Sequence, residues 1–236
     1  MRKTILIRLA TAALVALPAM PAMAQEAAEA EESGPIDVEF TLDLVTDYRF
    51  RGVSLSDKKP AVQPGVTISH ESGFYVGAWG SNVAENPGSD IELDILAGFS
   101  GGDDKFNYDL GGVYYLYPGA SSGNYAELIG KVGTTVGPAT VGAIIGYAPK
   151  QDNIGGVDNV YIGANAEMPL GKSPITLAGS VGLEDGAFGD NKIDWSLGAN
   201  ASLNDNISVG VAYVDTNRNM AGLSTATVVG SLKMAF

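Results

Sequence analysis

Charged side chains recur at odd-numbered positions near the start of the regular part of the chain. Glu39, Asp43, Asp47, Arg49 and Arg51 share this parity, and successive side chains of a β-strand point to opposite faces. The pattern predicts an acidic wall with a pair of arginines at one end. Rings of carboxylates favour cations, and facing acidic and basic groups orient small polar solutes. The chemistry indicated is therefore selection of solutes by charge, without bond making.

Four more carboxylates are expected on the same inner face of later strands: Glu92, Asp94, Asp109 and Asp194. For the arginines, two interpretations stay open. Arg49 and Arg51 either contribute to selectivity or simply neutralise Asp43 and Asp47 as a structural network, since polar interiors must pair their charges.

The elements that would position these groups have a period of two. The even positions from Ile36 to Leu44 are apolar and are expected to face lipid, opposite the charged odd positions. Lipid tolerates only helices and closed barrels as spanning structures. The sequence therefore predicts an all-β fold, a closed antiparallel transmembrane β-barrel over residues 36–236. About twelve runs have the length of a tilted barrel strand, and they begin near Ile36, Ala61, Phe74, Ile91, Phe106, Asn124, Ala139, Val160, Ile175, Ile193, Ile207 and Thr225.

The two ends of the chain predict where this barrel resides. Residues 1–24 have a basic start, a short apolar run and a small-residue cleavage site, which is typical of a signal peptide. Residues 25–35 are expected to form a disordered acidic periplasmic stub, with a short helix as the alternative. At the other end, Phe236 closes an alternating strand and predicts a membrane-insertion signal that barrel-assembly machinery would recognise. The predicted location is the bacterial outer membrane.

Connection lengths predict the orientation, because barrels have short periplasmic turns and longer outer loops. Short links are expected at 70–73, 101–104, 136–138, 169–173 and 204–206, and longer links at 47–60, 83–89, 117–123, 149–158, 184–192 and 215–224. The longer links all follow odd-numbered strands. With the amino terminus in the periplasm, every longer loop lies outside the cell.

Inward positions of the later strands are mostly small, as at Gly146, Ser180, Gly182 and Ser196. Eight-stranded barrels are filled by their own side chains and sixteen-stranded barrels are open, so twelve strands predict a narrow channel. The alternative is that these small residues let a flattened barrel pack shut.

Composition excludes several other functions. The chain has no cysteine and a net charge of −13, so disulfides are absent and nucleic acid is a poor partner. We predict no enzyme, because the one histidine, His70, is expected in a short turn without a nucleophile and base beside it. No metal site or cofactor is predicted, since Asp152 and Asp158 lack the spacing of a calcium loop.

Three segments resemble a known family. Residues 47–54 (Asp-Tyr-Arg-Phe-Arg-Gly-Val-Ser), 61–63 (Ala-Val-Gln) and 69–83, which begin Ser-His-Glu-Ser-Gly-Phe and include Trp79, are similar to the amino-terminal signature of TorF-type porins. The resemblance continues more loosely to Phe236. It implies an outer-membrane pore and leaves the solute open.

We therefore expect a passive pore for small hydrophilic solutes with weak cation preference. Its expected partners are outer-membrane lipid, the assembly machinery and the solutes. The alternatives are a barrel with a structural or adhesive role, a barrel hydrolase, and a soluble periplasmic β-protein whose apolar faces pack together.

Overall fold

The structure, a computed structural model, describes residues 35–84, 88–103 and 105–236. The predicted signal peptide and all of the predicted stub except Pro35 lie outside the described residues.

Twelve antiparallel strands form a closed barrel, as predicted. These strands are β1 (Ile36–Val45), β4 (Ala61–His70), β5 (Phe74–Asn82), β6 (Ile91–Gly102), β7 (Phe106–Leu116), β8 (Tyr125–Val136), β9 (Ala139–Ala148), β10 (Asn159–Pro169), β11 (Ile175–Gly186), β12 (Gly189–Ser202), β13 (Ile207–Thr216) and β14 (Thr227–Ala235). Each strand pairs with its neighbours in the chain, and β1 pairs with both β4 and β14, which closes the ring. Between β1 and β4, the short strands β2 (Arg49–Phe50) and β3 (Val53–Ser54) form a separate hairpin.

The barrel has an apolar outer surface and a largely polar inner one. The even positions of β1 and the odd positions of β6 and β12 face outward, as the alternation predicted. Leu197 on β12 is 68% exposed and Phe236 is 67% exposed. Phe236 also exchanges two backbone hydrogen bonds with Phe40 on β1, at 2.9 and 3.1 Å. The terminal aromatic therefore lies on the outer surface at the seam that closes the barrel.

The described residues contain two 3₁₀ helices, Ser121–Gly123 and Asp152–Ile154. No helix in this part of the chain is both long enough and apolar enough to span a membrane.

Longer connections gather at one end of the barrel, which we call the long-loop end, and short turns at the other. One predicted loop differs. Residues 184–192 do not form a loop, because β11 and β12 continue to Gly186 and Gly189 and leave a two-residue turn at Ala187 and Phe188. A register shift between Glu184 and Gly186 accommodates this tight hairpin.

The second difference concerns Asp47, Arg49 and Arg51, whose odd parity predicts inward positions on the same wall as Glu39 and Asp43. β1 ends at Val45, and residues 46–60, here called loop 1, leave the barrel wall. Arg51 and Gly52 both have positive φ, 47° and 84°, which turns the chain sharply. The hairpin of β2 and β3 therefore folds back toward the barrel interior.

Candidate functional site

Loop 1 crosses the barrel interior at the long-loop end. Its tip residue Gly52 approaches the barrel wall so closely that an added Cβ would lie 3.0 Å from Asp194 Cβ and 3.1 Å from Thr216 Cβ. These residues belong to β12 and β13, which are three and two strands away from β1 around the ring. A glycine is needed here for both the positive φ and the close approach. Loop 1 thus narrows the space that the barrel encloses.

Arg51 fixes the tip of loop 1 to two strands at once. Its Nη2 donates to Glu127 Oε1 and Oε2 at 2.8 and 2.9 Å, and its Nη1 donates to Glu184 Oε1 at 2.8 Å. The Arg51 side chain is 6% exposed, and its guanidinium carbon lies 4.2 Å from the centre of the Tyr161 ring. Burial alone would lower the pKa of Arg51, but the carboxylates of Glu127 and Glu184 raise it, so the charge persists.

Lys192 completes this ion cluster from β12. Its Nζ lies 2.7 Å from Glu184 Oε2 and donates to the backbone carbonyl of Arg51 at 2.5 Å. Asn159 on β10 donates to Glu184 Oε1 at 3.1 Å. We call Arg51, Glu127, Glu184 and Lys192 the Arg51 cluster. It joins loop 1 to β8, β11 and β12 through buried charges that satisfy one another.

Two of the predicted small inward residues serve this packing rather than leaving room for water. A Cβ at Gly146 would lie 2.6 Å from Glu127 Oε1 and 2.8 Å from Arg51 Nη2. A Cβ at Gly182 would collide with the phenol of Tyr161. The expectation of open space at these two positions was wrong, because larger side chains from neighbouring strands fill it.

Arg49 anchors the base of loop 1. Its Nε lies 2.6 Å from Asp47 Oδ2, and its Nη1 donates to the carbonyls of Leu223 and Thr225 at 2.9 and 3.2 Å. Ser54 donates to Asp47 Oδ1 at 2.6 Å. Arg49 therefore neutralises Asp47 within a structural network, whereas Arg51 pairs with Glu127 and Glu184 and with neither Asp43 nor Asp47.

Glu92 and Asp94 lie beneath loop 1 on the inner face of β6, and we call them the acid pair. They are 1% and 0% exposed. Glu92 Oε2 and both Asp94 carboxylate oxygens have no hydrogen-bond partner among the described residues. Asp94 is in register with Trp79 on β5 and Tyr115 on β7, and the ring of Tyr48 from loop 1 lies 5.6 Å from that of Trp79.

The interior is asymmetric. On the side of β5 to β8, apolar and aromatic inward side chains pack with loop 1 into a buried cluster of Tyr48, Trp79, Leu96, Val113, Tyr115, Tyr125 and Ile129. On the other side, inward residues of β12 to β14 and β1 stay partly exposed. We call this second side the open wall, and it includes Ser196, Asn200, Ser208, Ala212, Val229, Ser231, Lys233, Thr41 and Asp43.

The remaining predicted charges, Glu39, Asp43, Asp109 and Asp194, lie outside the Arg51 cluster and the acid pair. Asp43 is in register with Lys233 on β14, and Lys233 also interacts electrostatically with Glu167 on β10. Tyr75 donates to Asp109 Oδ1 at 3.0 Å. Asp194 accepts from Tyr161 at 3.4 Å, while Glu39 is partly buried on the inner face of β1.

Sequence reasoning missed six inward charged residues: Glu127, Lys131, Glu167, Glu184, Lys192 and Lys233. Strand parity could have found them, since each lies one residue from an outward apolar position. Lys131 is close to Asp109 as Lys233 is to Asp43. The interior therefore mixes both signs of charge, with carboxylates in excess.

His70 is exposed at a short turn, and its Nδ1 lies 2.7 Å from Ser72 Oγ. No group of three or more His, Cys, Asp or Glu side chains in the described part of the chain is placed to hold a metal ion.

Comparisons with known proteins agree with the barrel. Residues 29–234 match the model of a family described as bacterial proteins of unknown function (Gcw_chp). No curated protein matches the chain. The more specific resemblance to TorF-type porins stays a prediction.

Solved structures of similar shape include two porins. The KdgM porin superposes with a TM-score of 0.57 at 9% identity, covering 84% of this chain and 97% of that one. The same values hold for the KdgM porin in complex with disordered oligogalacturonate. The NanC porin gives a TM-score of 0.56 at 9% identity, with 85% and 99% covered. At this identity the likeness establishes a shared fold.

Proposed function

Because the chain belongs to Gcw_chp, a family of bacterial proteins of unknown function, we propose a function from its geometry: an outer-membrane channel for passive diffusion of small hydrophilic solutes. The observation that carries this proposal is a closed twelve-stranded barrel with an apolar outer surface and a polar, partly exposed inner wall. Such a surface suits lipid outside and water inside. The long-loop end would then face the cell exterior of a Gram-negative bacterium.

The proposed route for solutes runs off the barrel axis, along the open wall. Loop 1 and the buried aromatic cluster occupy the side of β5 to β8. Small residues such as Ser196, Gly198 and Ser208 leave the opposite side partly exposed. Loop 1 would form the narrowest part of this route, since its tip reaches β12 and β13. Solutes larger than a small sugar should therefore pass slowly.

We further propose a weak preference for cations, carried in part by Asp43 on the open wall. Carboxylates outnumber basic groups among the inward side chains of the described strands. An acidic interior attracts cations and repels polyanions. The KdgM porin is described in complex with oligogalacturonate, a polyanion, and the charge of this interior argues against that class of solute here.

Liposome swelling with neutral sugars of graded size tests the transport proposal. We expect swelling rates that fall steeply with solute size, and no swelling with empty liposomes. Recordings in planar bilayers under a salt gradient test selectivity, with a reversal potential of the sign for cations expected. Absence of any flux would leave a structural or adhesive barrel as the better proposal.

Membrane insertion needs a separate test. We expect the protein in the outer-membrane fraction, with heat-modifiable migration in electrophoresis, cleaved after Ala24 and dependent on the terminal Phe236 for assembly. Release with the periplasmic contents would support a soluble β-protein instead.

A further inference from the structure

We propose that Glu92 and Asp94 share one proton, and that loop 1 packs against this protonated acid pair. The protein would then respond to pH through loop 1. The protonation itself does not depend on transport, and only the conductance readout described below rests on the proposed channel function.

The first step is that three of the four oxygens of these two buried carboxylates have no hydrogen-bond partner among the described residues. Both Asp94 oxygens and Glu92 Oε2 lack hydrogen bonds within the described residues, and the atoms are inaccessible to solvent. An ionised carboxylate in such a place carries a large desolvation cost unless it is paired. Two of them two residues apart on one strand face also repel each other. Carboxylates that share a site commonly resolve this by holding one proton between them.

The second step is that no cation in the described part of the chain is available to stabilise the acid pair. The arginines of loop 1 are engaged elsewhere, Arg49 with Asp47 and Arg51 with Glu127 and Glu184. No basic group in the described part of the chain contributes to the environment of Asp94, where Glu92 is the interacting charge. The pair also lacks a third acidic or histidine ligand for a metal ion. A proton needs neither further ligands nor space.

The third step is what faces the pair from each element packed around it. Loop 1 contributes the phenol of Tyr48, and the segment after β7 contributes that of Tyr117, both close to Glu92. The Tyr48 hydroxyl makes no hydrogen bond within the described residues. β5 contributes the indole of Trp79 and β7 the phenol of Tyr115. On β8, Tyr125 stacks on Tyr115 with ring centres 4.4 Å apart, and Glu127 is held by Arg51.

Tyr48 does not itself supply the pH response. Burial raises the pKa of Tyr48 well above its ordinary value, and Glu92 and Asp94 raise it further. Its phenol therefore stays neutral across the range in which the acid pair would titrate. It covers the pair as an aromatic ring with one hydroxyl donor.

The direction of the pH response follows from this geometry. With the proton in place, the acid pair carries one charge and tolerates the dry aromatic cover of Tyr48. Raising the pH removes the proton and leaves two charges that require water. Water can reach them only when Tyr48 and loop 1 move away. Loop 1 therefore packs against the acid pair at low pH and is released from it as the pH rises.

The experiment follows Trp79, which is in register with Asp94. In a Trp195→Phe background, Trp79 is the remaining tryptophan of the two in the chain. Its emission and its quenching by acrylamide would be measured from about pH 5 to about pH 9, the range documented for buried acids. We expect a red shift and stronger quenching as the pH rises. Asp94→Asn, a neutral isostere, should abolish the titration. The control Asp57→Asn should leave it unchanged. Asp57 is an exposed loop-1 residue whose pKa is lowered by its hydrogen bond from Lys59.

Further readouts keep the proposal falsifiable. Infrared spectra of the folded protein should show a protonated carboxyl band that Asp94→Asn removes. Glu92→Gln replaces Asp94→Asn if the latter does not fold. An identical fluorescence titration in the acid-pair variants, or no titration in the parent protein, would overturn the inference. Channel conductance should rise with pH in parallel. A fluorescence titration without any conductance would contradict the channel proposal and leave the shared proton intact.

Discussion

The guanidinium Nη2 of Arg51 lies 2.8 Å from the Glu127 carboxylate, although 76 positions separate the two residues in the chain. Arg51 is at the tip of loop 1, and Glu127 is on the inner face of β8. Their side chains are 6% and 0% exposed. This contact holds a loop across the barrel interior, so its loss should open more of the interior.

Replacing Arg51 by glutamine should release loop 1. The change leaves Glu127 and Glu184 buried without their main partner, which typically costs about 3–5 kcal/mol. Each 1.4 kcal/mol is a tenfold change in an equilibrium, so the displaced loop should become more populated by about a hundredfold or more. Single-channel recordings would show larger or more frequent openings.

The matched control for this variant is Arg218→Gln. Arg218 is a partly exposed arginine of the loop between β13 and β14, and it contacts Asp190. The Arg218→Gln variant should have the same conductance as the parent protein. Equal conductance in the Arg51 variant and the parent protein would contradict the anchoring role.

Alanine at Gly146 should disturb the same cluster from the wall. Its added methyl group would lie within 3 Å of Glu127 Oε1 and Arg51 Nη2, and overpacking of this kind costs about 1–3 kcal/mol. Protease cleavage of loop 1 in the folded barrel should become faster. At Gly179 on β11 the nearest neighbour of a Cβ would be Ser196 O at an ordinary 3.5 Å, so Gly179→Ala should behave like the parent protein.

Charge on the open wall should set ion selectivity in opposite directions at two paired residues. Lys233→Gln removes a cation next to Asp43 and Glu167 and should increase the preference for cations. Asp43→Asn removes a carboxylate and should decrease it. Reversal potentials in a salt gradient measure both shifts. Shifts of the same sign would show that these residues do not line the route.

Alanine in place of His70 should leave solute flux within experimental error. His70 is exposed at a short turn and contacts Ser72, far along β4 from loop 1. Liposome swelling compares the variant with the parent protein. A loss of flux would indicate a functional role for this histidine and support the alternative of a barrel hydrolase.

The twelve strands were predictable because each one needs only a local pattern. Ile36 to Leu44 alternate with Asp37 to Asp43, and one face of this pattern must leave water. The same parity continues through Asp47, Arg49 and Arg51, so it predicted inward positions on the wall for these side chains even though a longer link was expected at 47–60. The turn depends on the positive φ of Arg51 and Gly52. It also depends on distant groups such as Glu184, whose carboxylate accepts a hydrogen bond from Arg51.

The site was harder to predict for the same reason. Glu184 and Lys192 looked like loop residues, since charge near a turn is ordinarily solvated. Both are buried, because loop 1 brings Arg51 to them. In the chain, 133 positions separate Arg51 from Glu184. Gly146 was expected to make space for water and instead makes space for Arg51. Local patterns predict which way a side chain points. They do not predict its contacts with a segment such as loop 1, which is distant in the sequence.

The central claim is that water fills the barrel beside the open wall, and cysteine accessibility tests it most directly. The chain has no cysteine of its own. Ser196 is inward and partly exposed, whereas its neighbour Leu197 is outward. We predict that a charged, membrane-impermeant thiol reagent reduces the current through Ser196→Cys channels and leaves Leu197→Cys channels unaffected. Conducting Ser196→Cys channels that ignore the reagent, or a Ser196→Cys barrel that never conducts while remaining folded, would contradict it.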